Sequence, residues 1–253
     1  MLLATLPPGP VTRRMQLHQF RHSAFCEKVR LVLAAKGLDY SVVEVTPGVG
    51  QLELFRLSGQ RQVPVLVDGT DVIADSTAIA LHLERRHPLP ALLPADPQLR
   101  ARVLLLEDWA DTALASGCRL ALLQAAAGDP VMRTALLPDA TPAPLRQLVG
   151  GLPVGLLGGV GEALSGMVAG DSSQQLQRNL EQLAVLCSAQ PYLVGDQLSL
   201  ADLAVAAQLS LLCFPDSSGA PLAGRGVTGI ADNPLLAPLF RWRDELLAPR
   251  APA

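Results

Sequence analysis

The chain has 253 residues, enough for one large domain or two modest ones at roughly 100–200 residues per domain. Lys and Arg number 20 against 23 Asp and Glu, a formal charge of −3, which gives no electrostatic footing for nucleic acid or an anionic membrane surface. Hydrophobic residues at 49% and charged residues at 17% exclude a disordered chain, and aromatics at 4% leave little for base stacking.

The residues before Met15 hold a short apolar start, a Pro-Pro-Gly-Pro run and two arginines, Arg13 and Arg14. A secretory signal has positive charge first and then about 7–15 apolar residues. Residues 1–14 therefore read as a disordered tail, with Met15 as an alternative start. No uncharged apolar run of roughly 20 residues suggests a membrane span. Cys26, Cys118, Cys187 and Cys213 are too far apart for a zinc knuckle or a CxxC pair. Free thiols, no metal and a soluble, cytoplasmic protein are the expectation.

From Met15 the elements follow in order. Gln16 to Phe20 alternates as a short strand, with Phe20 facing a core. Ser23 stands at a helix N-cap, and the helix runs through Cys26, Val29 and Val32 to Gly37. Tyr40 to Val45 is a second strand, parallel to the first if the helix is a crossover. Leu52 to Leu57 makes a short helical piece. Val63-Pro64 opens a third strand, and Asp68-Gly69 turns into a fourth at Asp71 to Ala74. Asp75-Ser76 caps a helix reaching about Arg86. This β-α-β, connector, β-β-α order gives a thioredoxin-like α/β domain over residues 15–88.

Pro88, Pro90 and Pro94 mark a linker over 89–96. An all-α domain is expected over 97–248, beginning with a helical pattern from Leu99 to Leu123 that includes Trp109. Residues 125–170 are rich in Gly, Ala and Pro and lack clear periodicity. Gln175 to Cys187 is helical again. Ser199-Leu-Ala-Asp202 is a capping box, with Leu198 and Leu203 placed as its hydrophobic staple.

Four segments carry a resemblance: Ser23-Ala-Phe-Cys26-Glu-Lys-Val-Arg30, Val63-Pro64-Val-Leu66, Asp75-Ser76-Thr77-Ala78-Ile79, and Tyr192 through Asp202. In this order and spacing the chain resembles the cytosolic glutathione transferases, with a likeness to serine-type and bacterial, especially cyanobacterial-type, members. The resemblance covers about 15–130 and 175–245. It implies reduced glutathione as co-substrate, a small hydrophobic electrophile, a detoxification role and a homodimer.

The resemblance also assigns residues. Ser23 occupies the first position of the C-P-F-C motif of glutaredoxins and omega-type transferases, and in serine-type members its hydroxyl donates to the glutathione sulfur. A helix N-terminus and one directed donor both favour a thiolate; the alternative is that Ser23 is only a helix cap. Cys26 is the rival nucleophile, for a thiol transferase or dehydroascorbate-type reductase, although a buried cysteine is usually inert. Val63-Pro64 matches the family's cis-proline, whose preceding backbone pairs with the cysteinyl backbone of glutathione. Asp75 and Ser76 match the acidic-Ser pair that meets the γ-glutamyl group, at a helix N-terminus suited to a carboxylate. Phe25 and Trp109 are candidates for the electrophile pocket. One departure stands out: Gln62 replaces the lysine that meets the glycyl carboxylate, leaving Arg61 as its substitute. That departure, with the unusual 125–170 segment, keeps open a non-catalytic glutathione- or protein-binding member of the same fold.

Overall fold

Strand β1 (Met15–Gln19) alternates so that Leu17 and Gln19 point inward and are buried. The computed structural model describes residues 15–46, 49–138, 141–152 and 169–248. The expected tail at 1–14 and the middle of the 125–170 segment lie outside the described residues. Phe20 falls one residue beyond β1 instead of on its core face, because the strand begins at Met15 and Leu17 takes the inward position.

Helix α1 (Ala24–Ala35) crosses over to β2 (Tyr40–Glu44), which pairs parallel to β1 with Leu17 opposite Val42. Helix α2 (Val49–Ser58) then leads to the hairpin of β3 (Val65–Asp68) and β4 (Asp71–Ala74). Gly69 opens its two-residue turn at φ 65°, a left-handed conformation that glycine adopts without a Cβ penalty. β3 runs antiparallel to β1, giving a four-stranded sheet in the order β2-β1-β3-β4. Helix α3 (Ser76–Arg86) packs back against α1, β3 and β4.

The proline-marked segment after α3 is firmly held. Lys36 Nζ, fully buried, donates to the carbonyls of His87 (2.7 Å) and Pro90 (3.0 Å) and pairs with Glu84 at 2.7 Å. Glu84 in turn accepts from the backbone N–H groups of Leu92 and Leu93, whose side chains are buried in the core.

Beyond it one long helical path replaces the single helix expected over Leu99 to Leu123. Helix α4 (Pro97–Trp109) passes through a π-helical turn (Ala110–Leu114) into α5 (Ala115–Gly128). Short helices α6 (Pro130–Ala135) and α7 (Ala143–Gly151) follow, then α8 (Ala169–Ala189), α9 (Leu200–Leu209) and α10 (Ala237–Leu247). All ten residues of α9 are buried, as expected of a helix that is apolar around most of its circumference, with Asp202 and Gln208 its two polar residues. It packs against α1, α4, the π turn and α10. Its capping box forms: Asp202 accepts from the Ser199 N–H at 2.8 Å and also from the Leu193 N–H at 2.7 Å. The helical part and the sheet share one core through the contact of α9 with α1.

Candidate active site

The start of α1 is built by Ser23. Its backbone is extended (φ −85°, ψ 123°), and its Oγ accepts from the Cys26 N–H at 3.4 Å. A hydroxyl that accepts one bond keeps its own proton to donate elsewhere. Cys26, in the first turn of α1 close to Ser23, turns into the core at 0% exposure. Burial pushes its thiol up to about 11, overcoming hydrogen bonds from the Phe20 backbone and from Ser23 that favour the thiolate. A thiol both buried and protonated is unavailable as a nucleophile.

Two cavities flank this turn. One, of about 450 Å³, lies between α1 and the end of α9, and includes His22, Ser23, Glu27, Arg30, Tyr40 and Phe214 in its lining. The other, of about 340 Å³, gathers Phe20, Phe25, Arg61, Gln62, Val63 and Arg119. The Val63–Pro64 peptide bond is cis; Val63 lines the cavity, while Pro64 is buried and does not. Arg61 lies over the Phe55 ring at 5.6 Å and Arg119 over the Phe25 ring at 5.9 Å. Such stacking restrains a guanidinium while leaving its N–H edge available.

At the start of α3, Asp75 holds φ 82°, the one non-glycine positive φ among the described residues. Its side chain accepts from the Ala78 N–H at 2.9 Å, which offsets a conformation costing about 1–3 kcal/mol. Ser76 behind it is 2% exposed, and its Oγ donates to Asp111 at 3.4 Å. Lys28 of α1 reaches the same point, pairing with Glu107 at 2.6 Å, with Asp111, and with Thr77 Oγ1 at 3.1 Å. Asp111 lies in the π turn, where the extra residue in the helical ladder changes the direction in which side chains leave the helix. Its Oδ1 is buried without a hydrogen-bond partner. Burial raises the Asp111 pKa despite the attraction of Lys28, and the nearby Glu107 charge adds to the rise.

Both parts of the chain match family models: the glutathione S-transferase N-terminal domain over residues 17–91 and the glutathione S-transferase C-terminal domain over 168–222. The chain belongs to the glutathione S-transferase family. Glutathione S-transferase 1 of Dianthus caryophyllus is 44% identical over 93 residues, covering 36% of this chain and 42% of its own length. The maleylacetoacetate isomerase of Mus musculus is 39% identical over 98 residues, covering 36% of this chain and 45% of its own. The chain thus spans less than half the length of these curated relatives. Over 92% of the chain and 95% of the other, the fold is similar to that of the beta-etherase of Sphingobium sp. strain SYK-6, with a TM-score of 0.63 at 24% identity.

Within this glutathione S-transferase fold the expected site residues separate into groups. Phe25, Arg61, Gln62 and Val63 meet in one cavity, while Ser23 lines the other. Asp75 is exposed, but the Ser76 hydroxyl faces Asp111 in a buried cluster instead of open space. Trp109 lines neither cavity; it is half-buried against the core, as its spacing among core leucines allows. Two features had little sequence signal. Arg119 is one exposed arginine on a helix, and Lys28 is one charge on an otherwise apolar helix face; their partners lie far away in the chain.

Proposed function

We propose that this chain is a glutathione transferase that joins the sulfur of reduced glutathione to a small electrophile. The observation that carries the reading is the 340 Å³ cavity bringing Phe25, Arg61, Gln62 and Val63 together in a chain of this family. In this reading the Val63 backbone pairs with the cysteinyl backbone of the tripeptide. Arg61, helped by Gln62, takes the glycyl carboxylate. The N-terminal N–H groups of α3 take the γ-glutamyl carboxylate, and Asp75 meets its ammonium.

Ser23 and the N-terminus of α1 hold the thiolate. A free thiol titrates near ~8.5, and each unit of lowering is worth about 1.36 kcal/mol of preference for the ionised form. The sulfur then attacks the electrophilic carbon, the C–S bond forms, and the leaving group departs with its bonding pair. Isomerisation, the activity named for the mouse relative, and peroxide reduction draw on the same thiolate. A cytoplasmic homodimer with a detoxification role completes the reading, on the support of family membership.

The separation of Ser23 from the Val63 cavity favours a second reading, a non-catalytic glutathione-binding member. Thiol transfer through Cys26 is opposed by its burial and its raised pKa.

The test is a calorimetric titration with reduced glutathione. One-site binding weakened by Arg61→Gln supports the proposed site; no heat at millimolar ligand overturns both readings. If binding occurs, conjugation of a neutral nitroaryl chloride by the wild type, reduced in Ser23→Ala, separates the enzyme from the binding protein. Ser76 is the poorer choice of variant, because removing its hydroxyl also disturbs Asp111.

A further inference from the structure

The 340 Å³ cavity is charged in one direction only. Arg61 enters it from the loop before β3 and Arg119 from α5 in the helical part, and no Asp or Glu among the described residues lines it. Arg30, Arg86, Arg225 and Arg243 each have a carboxylate within ion-pair distance. For Arg61 and Arg119 the contacts are aromatic rings, Phe55 and Phe25. A ring beneath the guanidinium occupies its face and leaves the in-plane donors free for a planar, bidentate anion. The cavity size suits a small organic ligand.

Glutathione supplies one carboxylate to this region, the glycyl one assigned above to Arg61. Arg119 sits apart in sequence, on the helical part of the chain, beside the Phe25 ring. We propose that Arg119 is a specificity-determining residue that selects electrophiles carrying a carboxylate, with Phe25 packing against their apolar body. This inference rests on the transferase reading. Its physical basis is that a carboxylate entering the cavity loses part of its hydration, and a guanidinium held on the Phe25 ring replaces that hydration with paired, charge-assisted bonds. An uncharged electrophile gains nothing from the guanidinium, so the preference is for acids over their amides.

The test compares an ortho-nitro aryl chloride bearing a para carboxylate with its uncharged para-amide counterpart, at saturating glutathione. The thiolate sulfur attacks the carbon bearing chlorine, the C–S bond forms, and chloride leaves with the C–Cl bonding pair while the thiol proton passes to buffer. The readout is the kcat/KM ratio of acid over amide in the wild type and in Arg119→Met, which keeps the aliphatic stem. The ratio is expected to fall roughly 10- to 100-fold, the range for a lost charge-assisted Arg–carboxylate pair, with Arg119→Lys recovering part of it. An unchanged ratio, or a wild type that prefers the amide once intrinsic reactivity is subtracted, overturns the proposal.

If the wild type turns over neither compound, the transferase reading fails with these electrophiles, and calorimetric titration with the aryl carboxylate alone decides the Arg119 proposal. Affinity at least tenfold weaker in Arg119→Met supports it. Equal affinities, or no binding to the wild type, overturn it.

Discussion

Two sets of charges bridge the sheet-bearing and helical parts of this molecule, and they are arranged in opposite ways. The Lys28 set is closed: its ammonium is 1% exposed and faces Glu107 and Asp111, with Thr77 filling a further direction. The Arg61 and Arg119 set is open, with both guanidiniums on aromatic rings beside a cavity free of lining carboxylates among the described residues. A charge whose partners are internal holds the parts together and has little left for a ligand. A charge left beside a cavity contributes little to folding and much to recognition.

Lys28→Met is the strongest way to break this contrast. It leaves the buried Glu107 and the largely buried Asp111 without their cation, and removing one partner of such a set costs roughly 3–5 kcal/mol. Equilibrium urea denaturation is the measurement; a loss below about 1 kcal/mol would mean the cluster does not hold the parts together. Cys26→Ser comes next, expected to cost about 1–3 kcal/mol by placing a poorly paired hydroxyl in the core, with the conjugation rate per folded molecule unaltered. A collapse of that rate would restore Cys26 as a nucleophile.

Ser23→Ala sharpens the comparison between cap and catalyst. Loss of the cap alone costs about 1 kcal/mol of stability, while loss of the thiolate donor raises the apparent pKa of bound glutathione by about one unit, roughly a tenfold drop in thiolate at neutral pH. A pH–rate profile separates the two. Arg61→Gln is expected to raise the KM for glutathione by a factor of about five with kcat little changed, and to shift stability by less than about 0.5 kcal/mol.

The smallest effect belongs to Asp111→Asn. The folded-state pKa of Asp111 is raised above its ordinary 3.8, chiefly by burial, so the folded state binds the proton more tightly than the unfolded one. Stability from this group is therefore full below about the unfolded value and is lost as pH rises through the folded one. The wild-type advantage over Asp111→Asn is expected to shrink as pH rises through that window, as read by thermal melts across an acidic pH series. An advantage that grows with pH would mean Lys28 outweighs burial at this site.

Much of the site was legible because its parts are local. The helix start at Ser23, the Val63-Pro64 strand opening and the Asp75 cap each rest on a few adjacent residues with fixed backbone roles. The capping box at Ser199 and Asp202 was readable for the same reason. Trp109 was less so: one spacing serves both a core face and a pocket wall, and the structure gave it the core. Cys26 depended on the phase of α1, which turns it inward three residues after Ser23.

The sequence by itself determined the order of elements, the parallel crossover of β1 and β2, the helix caps and the family, because propensities, caps and turns act over a few residues. Only the tertiary structure decided that Ser23 and Val63 open on separate cavities, that Ser76 turns to Asp111, and that Arg119 meets Phe25 across 94 positions of chain. Those are contacts between residues far apart in the chain, and they are fixed by how α1, α3 and the bent α4–α5 path pack around one core.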